Sequence, residues 1–436
     1  MQDSSGGSTD ATQRLAEGMP LPEPGSFEQL QRVVVVGAGP VGMCTALALG
    51  RAGVPVTVME KGPGLATESR ASTFHPPTLE LLEDLGVVDE VIARGLKAPR
   101  TQFRDRRAGP IAEFDLGALE GETRYPFRIQ LEQNKLAALV LETIREEAAI
   151  GEIDVEVRFS WRLHAALSAG STSEDLDEPA RLLCGTTEGF VEVTAPWVVA
   201  CDGAHSPVRE SLGVQLEGET YPERFLVASV DEQLDDMVEG IAYVNYIADP
   251  QEWLVLLRTP DHWRVLLPVD PTEADRDDSD FTEADVQERL LGVADPGRPW
   301  RIVQWSLYVV RRAVAETMFV GRVLLAGDAA HQNSPLGGMG MNSGIQDGIS
   351  AARRLAELWH DRAGPGVLEE YDTNRRRVAT EYVQADSHAN WLALREPDPA
   401  RRAELQADLA ATAADPHRHH DKVARSAMLD AIRTSL

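Results

Sequence analysis

The segment from Gly327 to Asp347 combines residue types that could bind the hydroxyl groups and the flat ring of a cofactor. It follows the short apolar run 322–326, which is typical of a buried parallel strand. Asp328 is therefore expected at the carboxyl end of that strand, where open α/β sheets bind ligands. A carboxylate at this position can accept hydrogen bonds from sugar or ribityl hydroxyls.

Glycines in the same segment predict a close approach of the backbone to a planar group. A Cβ atom at Gly337, Gly338 or Gly340 would collide with such a ring, so glycine is the suitable residue there. The helix predicted to begin near Met341 and Asn342 directs its N–H groups and the positive end of its dipole into the loop. The loop is therefore suited to a ring that carries negative charge.

A second motif near the start of the chain is typical of dinucleotide binding. A valine run, 33–36, is followed by G-x-G-x-x-G from Gly37 to Gly42 and by an apolar helical stretch. The next predicted strand, 54–59, ends at Glu60, which lies 18 residues after Gly42. In this pattern the glycines permit the tight turn and the approach of a pyrophosphate, and the acid binds a ribose hydroxyl.

A third strand, which begins at Trp197, ends in Asp202 and Gly203. Taken alone, an Asp-Gly pair after a strand predicts only a turn. Three strand ends with a carboxylate in one chain instead favour a shared ligand site along one edge of a sheet.

Composition excludes several classes of function. The chain has 436 residues and a net charge of -28, which opposes binding to nucleic acid. No apolar run approaches the ~18 residues of a membrane span, so we expect a soluble protein with no membrane partner. The polar residues 1–30 predict a disordered tail and not a signal peptide. With only Cys44, Cys184 and Cys201, a reduced cytoplasmic location is expected, and no cluster with zinc-like spacing indicates a metal site.

Together the three motifs resemble those of class A flavoprotein monooxygenases, the single-component FAD-dependent aromatic hydroxylases related to p-hydroxybenzoate hydroxylase. The resemblance covers most of residues 32–392. Besides the motif at Gly37, it depends on D-G-x-x-S-x-x-R from Asp202 to Arg209 and on G-D-A-A-H…P…G-x-G-x-N from Gly327 to Asn342. No second G-x-G-x-x-G is present for the nicotinamide cofactor, which is normal for the family.

The resemblance implies an α/β fold with a Rossmann-like FAD-binding domain of the GR2 type. Residues 31–220 and 311–394 would form that domain. An antiparallel β-sheet domain for the substrate would be inserted at 221–310, and residues 395–436 would form a C-terminal helical extension.

The resemblance also implies how FAD is bound without a covalent bond. Glu60 would bind the adenosine ribose and Arg70 the pyrophosphate region, while Asp202 would serve FAD and the nicotinamide cofactor together. Asp328 would bind the ribityl chain. Either Gln130 or Gln133 would reach the ribityl or pyrophosphate region, and we favour Gln133 because it opens the helical run 134–147. The complete predicted set is Gly37, Ala38, Gly39, Pro40, Val41, Gly42, Glu60, Lys61, Arg70, Gln133, Asp202, Gly327, Asp328, Pro335, Gly338, Met339, Gly340, Met341 and Asn342.

The substrate site is expected where the inserted sheet faces the flavin. His75 is the candidate base for a phenol, because histidine exchanges protons at neutral pH; a purely structural histidine is the alternative. Pro335 is implied to border the flavin with a carbonyl available to the substrate. Met339 stands where relatives often have Gln or Lys. Aromatic side chains suit the walls of a site for a planar substrate, and the candidates are Tyr243, Tyr246, Trp253, Trp263, Trp305 and Tyr308. For each of them a sheet residue packed in the core is the alternative. The predicted catalytic set is His75, Pro335 and Tyr243.

The implied activity is hydroxylation of a small phenolic or N-heteroaromatic substrate with O2 and NADPH or NADH as transient reductant, through a flavin C4a-hydroperoxide. The alternatives are a halogenase-type or reductase-type flavoenzyme and an FAD-retaining protein that makes no product. The substrate and the choice between monomer and homodimer are not determined by the sequence.

Overall fold

The computed structural model describes residues 24–67, 71–170, 178–269 and 281–433. Arg70, most of the predicted N-terminal tail and most of the acidic loop 171–178 lie outside these residues. The elements named below all belong to the described part of the chain.

The strands supply four sheets. In chain order they are β1 (Ser26–Gln29), β2 (Val33–Val36), β3 (Val56–Glu60), β4 (Thr73–Phe74), β5 (Leu96–Ala98), β6 (Arg100–Asp105), β7 (Gly109–Asp115), β8 (Arg128–Gln130), β9 (Val155–Phe159), β10 (Arg162–Ser168), β11 (Ala180–Thr186), β12 (Gly189–Ala195), β13 (Trp197–Ala200), β14 (Leu216–Val230), β15 (Val244–Ala248), β16 (Leu254–Arg258), β17 (Trp263–Val269), β18 (Ile302–Ala315), β19 (Phe319–Val320), β20 (Val323–Leu325) and β21 (His331–Gln332).

The helices cover these sheets and end the chain. In chain order they are α1 (Pro40–Arg51), α2 (Pro76–Asp84), α3 (Val88–Arg94), α4 (Gln133–Ala149), α5 (Pro207–Ser211), α6 (Leu234–Met237), α7 (Glu283–Leu291), α8 (Gly340–Trp359), α9 (Gly366–Val378), α10 (Ala385–Leu394), α11 (Pro399–Ala414), α12 (Pro416–Ser426) and α13 (Leu429–Arg433). A 3-10 turn spans Leu116–Leu119, a second spans Gly327–Ala329, and a π-helical turn spans Ala379–Gln384.

A six-stranded sheet of order β19-β20-β13-β2-β3-β9 forms the centre of the dinucleotide-binding part. Its strands pair in parallel except for β19 with β20. The valines of β2 are buried, as expected for a central strand of a sheet that is covered on both faces. The parallel pairing brings the carboxyl ends of β2, β13 and β20 to one edge, so the three predicted strand-end sites lie side by side.

A second sheet, which we call the substrate-side sheet, has eight strands and extends beyond the predicted insertion at 221–310. Its order is β21-β18-β14-β17-β16-β15-β6-β7. The prediction assigned β6 and β7 to the first part of the FAD domain, but β6 pairs in parallel with β15. Local alternation of residue types predicts a strand without identifying its partner, so the sequence alone does not place β6 and β7 in this sheet.

The two faces of the eight-stranded sheet have different surroundings. Trp263 belongs to the apolar cluster that α7 covers, and Trp305 packs against the same cluster. Tyr246 and Trp253 belong to the cluster on the opposite face, together with Leu336 of the glycine-rich loop. Of the six aromatic candidates, those of the second cluster therefore face the side where the flavin is expected.

The C-terminal helices fold back onto this assembly. Val423 of α12 and Leu429 of α13 pack in one apolar cluster with Phe114 of β7 and Leu119. The predicted extension is helical, and it also covers one end of the substrate-side sheet. Within the residues described, we find no helix that combines the length and apolarity needed to cross a membrane.

Candidate active site

The glycine-rich turn after β2 has the geometry that a pyrophosphate requires. Gly37 has φ +99°, and a Cβ there would lie 2.6 Å from the carbonyl oxygen of Cys201. A Cβ on Gly42 would collide with the carbonyl oxygen of Gly37. A Cβ on Gly39, in contrast, would meet nothing within 4 Å. The first and third glycines are thus needed for packing, while Gly39 borders open space that suits a ligand at the amino end of α1.

Glu60 anchors the turn from the end of β3. Its Oε2 accepts a hydrogen bond from the Ala38 N–H at 2.9 Å, and its Oε1 accepts one from the Gly62 N–H at 2.8 Å. These bonds fix the carboxylate beside the glycine turn, where a ribose hydroxyl can reach it. The neighbouring Lys61 is exposed.

Asp202, which follows β13, has an oxygen without a partner. Its Oδ2 accepts a long hydrogen bond from the Val208 N–H at 3.4 Å, whereas Oδ1 is enclosed and has no protein partner among the described residues. Burial raises the pKa of this carboxyl to about 6, against the lowering effect of its hydrogen bonds. Next to it Gly203, at φ +88°, also borders open space. An enclosed carboxylate oxygen of this kind fits a ligand hydroxyl.

Asp328 is exposed in the 3-10 turn Gly327–Ala329 at the end of β20. Gly327 adopts φ +64°, which favours glycine, and its N–H donates to Oδ2 of Asp347 at 3.1 Å. The turn that presents Asp328 is thus attached to the interior of α8.

Asp347 is the centre of a buried charge network that the sequence analysis missed. Its Oδ1 accepts from Nε of Arg375 at 2.6 Å, and its Oδ2 lies 2.7 Å from Nε2 of His331. Burial alone would raise the pKa of Asp347, but Arg375 and His331 lower it below its usual value. The prediction placed Asp347 only at the end of a motif. Its partner on α9 lies 28 positions away, and no local pattern reveals such a pair.

The loop between β21 and α8 is held by hydrogen bonds from three directions. The Gly337 N–H donates to the hydroxyl oxygen of Tyr246 at 2.9 Å. Nε2 of His75 donates to the Gly337 carbonyl oxygen at 2.9 Å. The Pro335 carbonyl, predicted to be available to the substrate, accepts the Gly338 N–H at 3.0 Å and so closes the turn. Gly337, φ +103°, therefore connects the sheet, the His75 segment and the loop.

Asn342 braces the same loop through its side chain. Its Nδ2 donates to the carbonyl oxygens of Thr73 and Gly338, each at 2.7 Å, and its Oδ1 accepts the His75 N–H at 2.9 Å. The backbone N–H groups of Gly340, Met341 and Asn342 open α8, and the first N–H groups of a helix have no partner within it. These groups are the donors that the predicted contact with a flavin edge requires.

Met339 anchors the loop from the other side. Its side chain is buried in a cluster with Val378, Val383, Met428 and Ala431. Met339 therefore forms an apolar contact between the loop, the end of α9 and the helical segments that follow it.

Neither of the two glutamine candidates is eliminated. Gln133 begins α4, where its N–H donates to the Ala71 carbonyl oxygen at 3.0 Å. Gln130 is buried in β8, and its Oε1 accepts from the Thr73 hydroxyl at 3.0 Å. Gln133 is half-buried and beside the segment that precedes β4, so it stays our choice.

A cavity lies beside the glycine-rich loop. Phe103 and Tyr246 form its sheet wall, with their rings stacked at a centroid distance of 5.2 Å. Gly337 contributes from the loop, and residues of 386–390 and 422–426 close the cavity from the C-terminal helices. The C-terminal extension is thus part of the cavity wall.

Three residues predicted to be catalytic do not line this cavity in the structure. His75 is fully buried behind the loop, and burial, followed by the charge of Arg128, lowers its pKa well below 6.5. Tyr243 is 38% exposed and precedes β15, whereas Tyr246 lies on the wall. Pro335 is half-buried at the start of the turn. Successive side chains of a strand point to opposite faces, and only those of one face of β15 reach the cavity. Tyr246 is on that face, whereas Tyr243 precedes the strand.

The fold and the site define a flavoprotein of the dinucleotide-binding α/β class. The gap beside Gly39, the enclosed oxygen of Asp202 and the open start of α8 all fit FAD. Comparison with known proteins agrees, because a sequence profile described as FAD binding domain matches residues 31–386. The chain belongs to this family of FAD-binding proteins, which includes aromatic hydroxylases.

Individual relatives are similar over most of the chain. Para-nitrophenol 4-monooxygenase of Pseudomonas sp. (strain WBC-3) is 32% identical over 388 residues, which cover 86% of this chain and 90% of that protein. The crystal structure of p-nitrophenol 4-monooxygenase PnpA from Pseudomonas putida DLL-E4 superimposes with a TM-score of 0.83 at 30% identity, covering 94% of this chain and 99% of that one. Aklavinone-11 hydroxylase, solved with FAD and aklavinone, gives a TM-score of 0.74 at 29% identity and covers 88% and 71%. This protein is accordingly an FAD-dependent aromatic monooxygenase, as the sequence predicted.

Proposed function

We propose that the protein hydroxylates a small phenolic or N-heteroaromatic ring that binds in the cavity between Tyr246 and the C-terminal helices. The observation that carries this proposal is the contact of Gly337 with Tyr246. It makes the glycine-rich loop and the aromatic sheet adjoining walls of one cavity. A ring bound there is next to the loop that would hold the flavin.

Different residues would hold different parts of the FAD molecule. Gly39 and Glu60 would receive the pyrophosphate and the adenosine ribose, and Asp202 and Asp328 would bind hydroxyl groups nearer the flavin. The backbone N–H groups that open α8 would bind the flavin edge. When bound, FAD would supply the redox chemistry by which NADPH or NADH and O2 hydroxylate the ring.

Tyr246 is the side chain that we propose to orient a substrate hydroxyl. Burial raises the pKa of its phenol, so the hydroxyl keeps its proton at neutral pH. Its oxygen already accepts the Gly337 N–H, and the proton is available to donate to an oxygen of the substrate. Tyr246 would thus bind the substrate and hold the loop with one hydroxyl group.

His75 would act on the loop and not on the substrate. Because the imidazole is neutral and its Nε2 donates to the Gly337 carbonyl, it fixes the loop from behind. The apolar rings of Phe103 and Phe114 would keep water from the ring-binding space. A cytoplasmic location and a monomeric or homodimeric state stay predictions.

A screen with the purified, FAD-loaded protein tests the proposal. Phenols and hydroxypyridines are added singly, and the oxidation of NADPH and NADH is followed with product analysis. We expect one of these rings to accelerate cofactor oxidation and to gain one hydroxyl group, while its methyl ether does not. Turnover of the ether at the same rate, or reduction without an oxygenated product, would contradict hydroxylation and favour a reductase-type flavoenzyme.

A further inference from the structure

Arg128 is a buried cation in the cavity wall. It lies at the start of β8 and is 3% exposed. Its Nη1 donates to the Thr101 hydroxyl at 2.8 Å, and its Nη2 donates to the Ser426 carbonyl at 3.2 Å. Nε is enclosed without a partner. Both partners are neutral, and no carboxylate of the described residues forms a salt bridge with Arg128.

The other charged groups of the cavity do not supply the missing anion. Asp386 is the carboxylate among the lining residues, and its Oδ1 already accepts from Nε of Arg425 at 2.8 Å. Lys422 of α12 is half-buried, and within the described residues it forms neither an ion pair nor a hydrogen bond. The cavity thus holds three cations: Asp386 is paired with Arg425 and its charge also acts on Lys422, whereas Arg128 has no anionic partner among the described residues.

An isolated charge in a protein interior is costly unless an opposite charge compensates it. The positive charge of Arg128 acts on both residues that hold Gly337. It contributes to the low pKa of His75, and it lowers the pKa of Tyr246 against the raising effect of burial. A bound anion would pair with Arg128 and recover the cost of burying it.

We propose that the cavity binds its ring substrate as an anion, with a substrate oxyanion paired to Arg128 and Lys422. The inference rests on the proposed function and specifies its substrate class. A carboxylate substituent and an ionised phenol both present such an oxygen. A guanidinium offers several donors in one plane, which suits either group, and a two-oxygen carboxylate most fully.

The test uses the FAD-loaded protein and the binding of probe ligands, measured by the change in flavin absorbance. The first probe pair is 4-hydroxybenzoate and 4-hydroxybenzamide, which have nearly the same shape and differ in charge. The second pair is 4-nitrophenol and 4-nitroanisole, of which only the phenol can ionise. Each pair is titrated into the parent, Arg128→Met, Lys422→Met, Arg128→Lys and Arg100→Met. Arg100 is the matched control, an exposed cation at the start of β6 paired with Glu113.

We expect the parent to prefer the acidic member of at least one pair by roughly tenfold or more, as for a charge-assisted hydrogen bond. Arg128→Met and Lys422→Met should each reduce that preference, Arg128→Lys should retain part of it, and Arg100→Met should not change it. Loss of the benzoate preference assigns the site to a carboxylate, and loss of the nitrophenol preference assigns it to a phenolate. Either result supports the proposal.

Equal binding within both pairs by the parent overturns the proposal, as does a preference that persists in both methionine variants. Lys422→Met keeps the test decisive if Arg128→Met does not fold, because Lys422 is half-buried on α12. A result that overturns the anion site can be distinguished from a result that overturns the proposed hydroxylation. A protein that hydroxylates a neutral ring and ignores ligand charge would refute only the anion site.

Discussion

The backbone N–H of Gly337 and the hydroxyl of Tyr246 are joined by a hydrogen bond of 2.9 Å. One residue belongs to the loop that precedes α8 and the other to β15, so this bond links the expected flavin site to the substrate-side sheet. The opposite side of Gly337 is held by His75. A change at the sheet can therefore alter the loop, and the first prediction follows from this connection.

Tyr246→Phe should retain the fold and lose the bond to Gly337. We expect kcat/KM to fall several-fold, consistent with about 0.5–1.5 kcal/mol for one hydrogen bond. The ratio of hydroxylated product to NAD(P)H consumed should also fall, because the loop and the substrate lose a shared contact. Tyr243→Phe is the control, since that ring is 38% exposed and outside the cavity. Equal losses in the two variants would contradict the assignment to Tyr246.

Gly39→Ala should weaken FAD binding without destabilising the apoprotein. Gly39 has φ -71° and ψ 177°, which alanine adopts, and the new methyl group enters open space in the protein. In the FAD complex that space would be needed, so we expect roughly a tenfold loss of affinity or more, about 1.4 kcal/mol. Gly42→Ala should instead destabilise the apoprotein, because its Cβ would collide with the Gly37 carbonyl. FAD titration and urea unfolding separate the two effects, and unchanged affinity in Gly39→Ala would argue against a pyrophosphate at this turn.

Asp347→Asn should be strongly destabilising. The substitution removes the ion pair between Asp347 and the fully buried Arg375, and breaking such a pair typically costs about 3–5 kcal/mol. Asp84→Asn is the comparison, because it removes a surface pair with Arg353 that should contribute about 0–1 kcal/mol. The measurement is the free energy of unfolding of both variants in urea. Similar values for the two would show that the buried network is not needed for stability.

Asp202 should give the apoprotein a pH-dependent stability. Its folded-state pKa of about 6 lies above the unfolded value near 3.9, so the folded chain holds the extra proton between these values. The stability from this proton is present at low pH and is lost as the pH rises through about 6. Between pH 5 and pH 8 the loss should be on the order of 1 kcal/mol. Asp202→Asn should remove this part of the pH dependence in urea unfolding, and an identical dependence in the variant would exclude the carboxyl as its source.

The parts of this site that the sequence predicted are those with local patterns. The turn at Gly37, the acid at Glu60 and the loop before α8 each follow from residues adjacent in the chain, and the structure has the strands and helices where these patterns place them. The pairing of β6 with β15, in contrast, depends on residues more than a hundred positions apart. So does the approach of Ser426 to Arg128.

The sequence did not show which of two tyrosines lines the cavity, for the same reason. Tyr243 and Tyr246 are three residues apart in an aromatic segment, and the sequence does not show where the strand begins. Once β15 is known to start at Val244, the alternation of faces places Tyr246 on the cavity wall. Arg128 carried no signal in the sequence, because an arginine in a short strand is usually exposed.

The source of the oxygen atom in the product tests the central claim most directly. FAD-loaded protein, NAD(P)H and the ring that stimulates cofactor oxidation are combined under oxygen-18 gas, and the product is analysed by mass spectrometry. The account predicts one labelled oxygen atom in each product molecule and none when the label is in the water. A product whose new oxygen comes from water, or cofactor oxidation that yields no oxygenated ring, would contradict a monooxygenase.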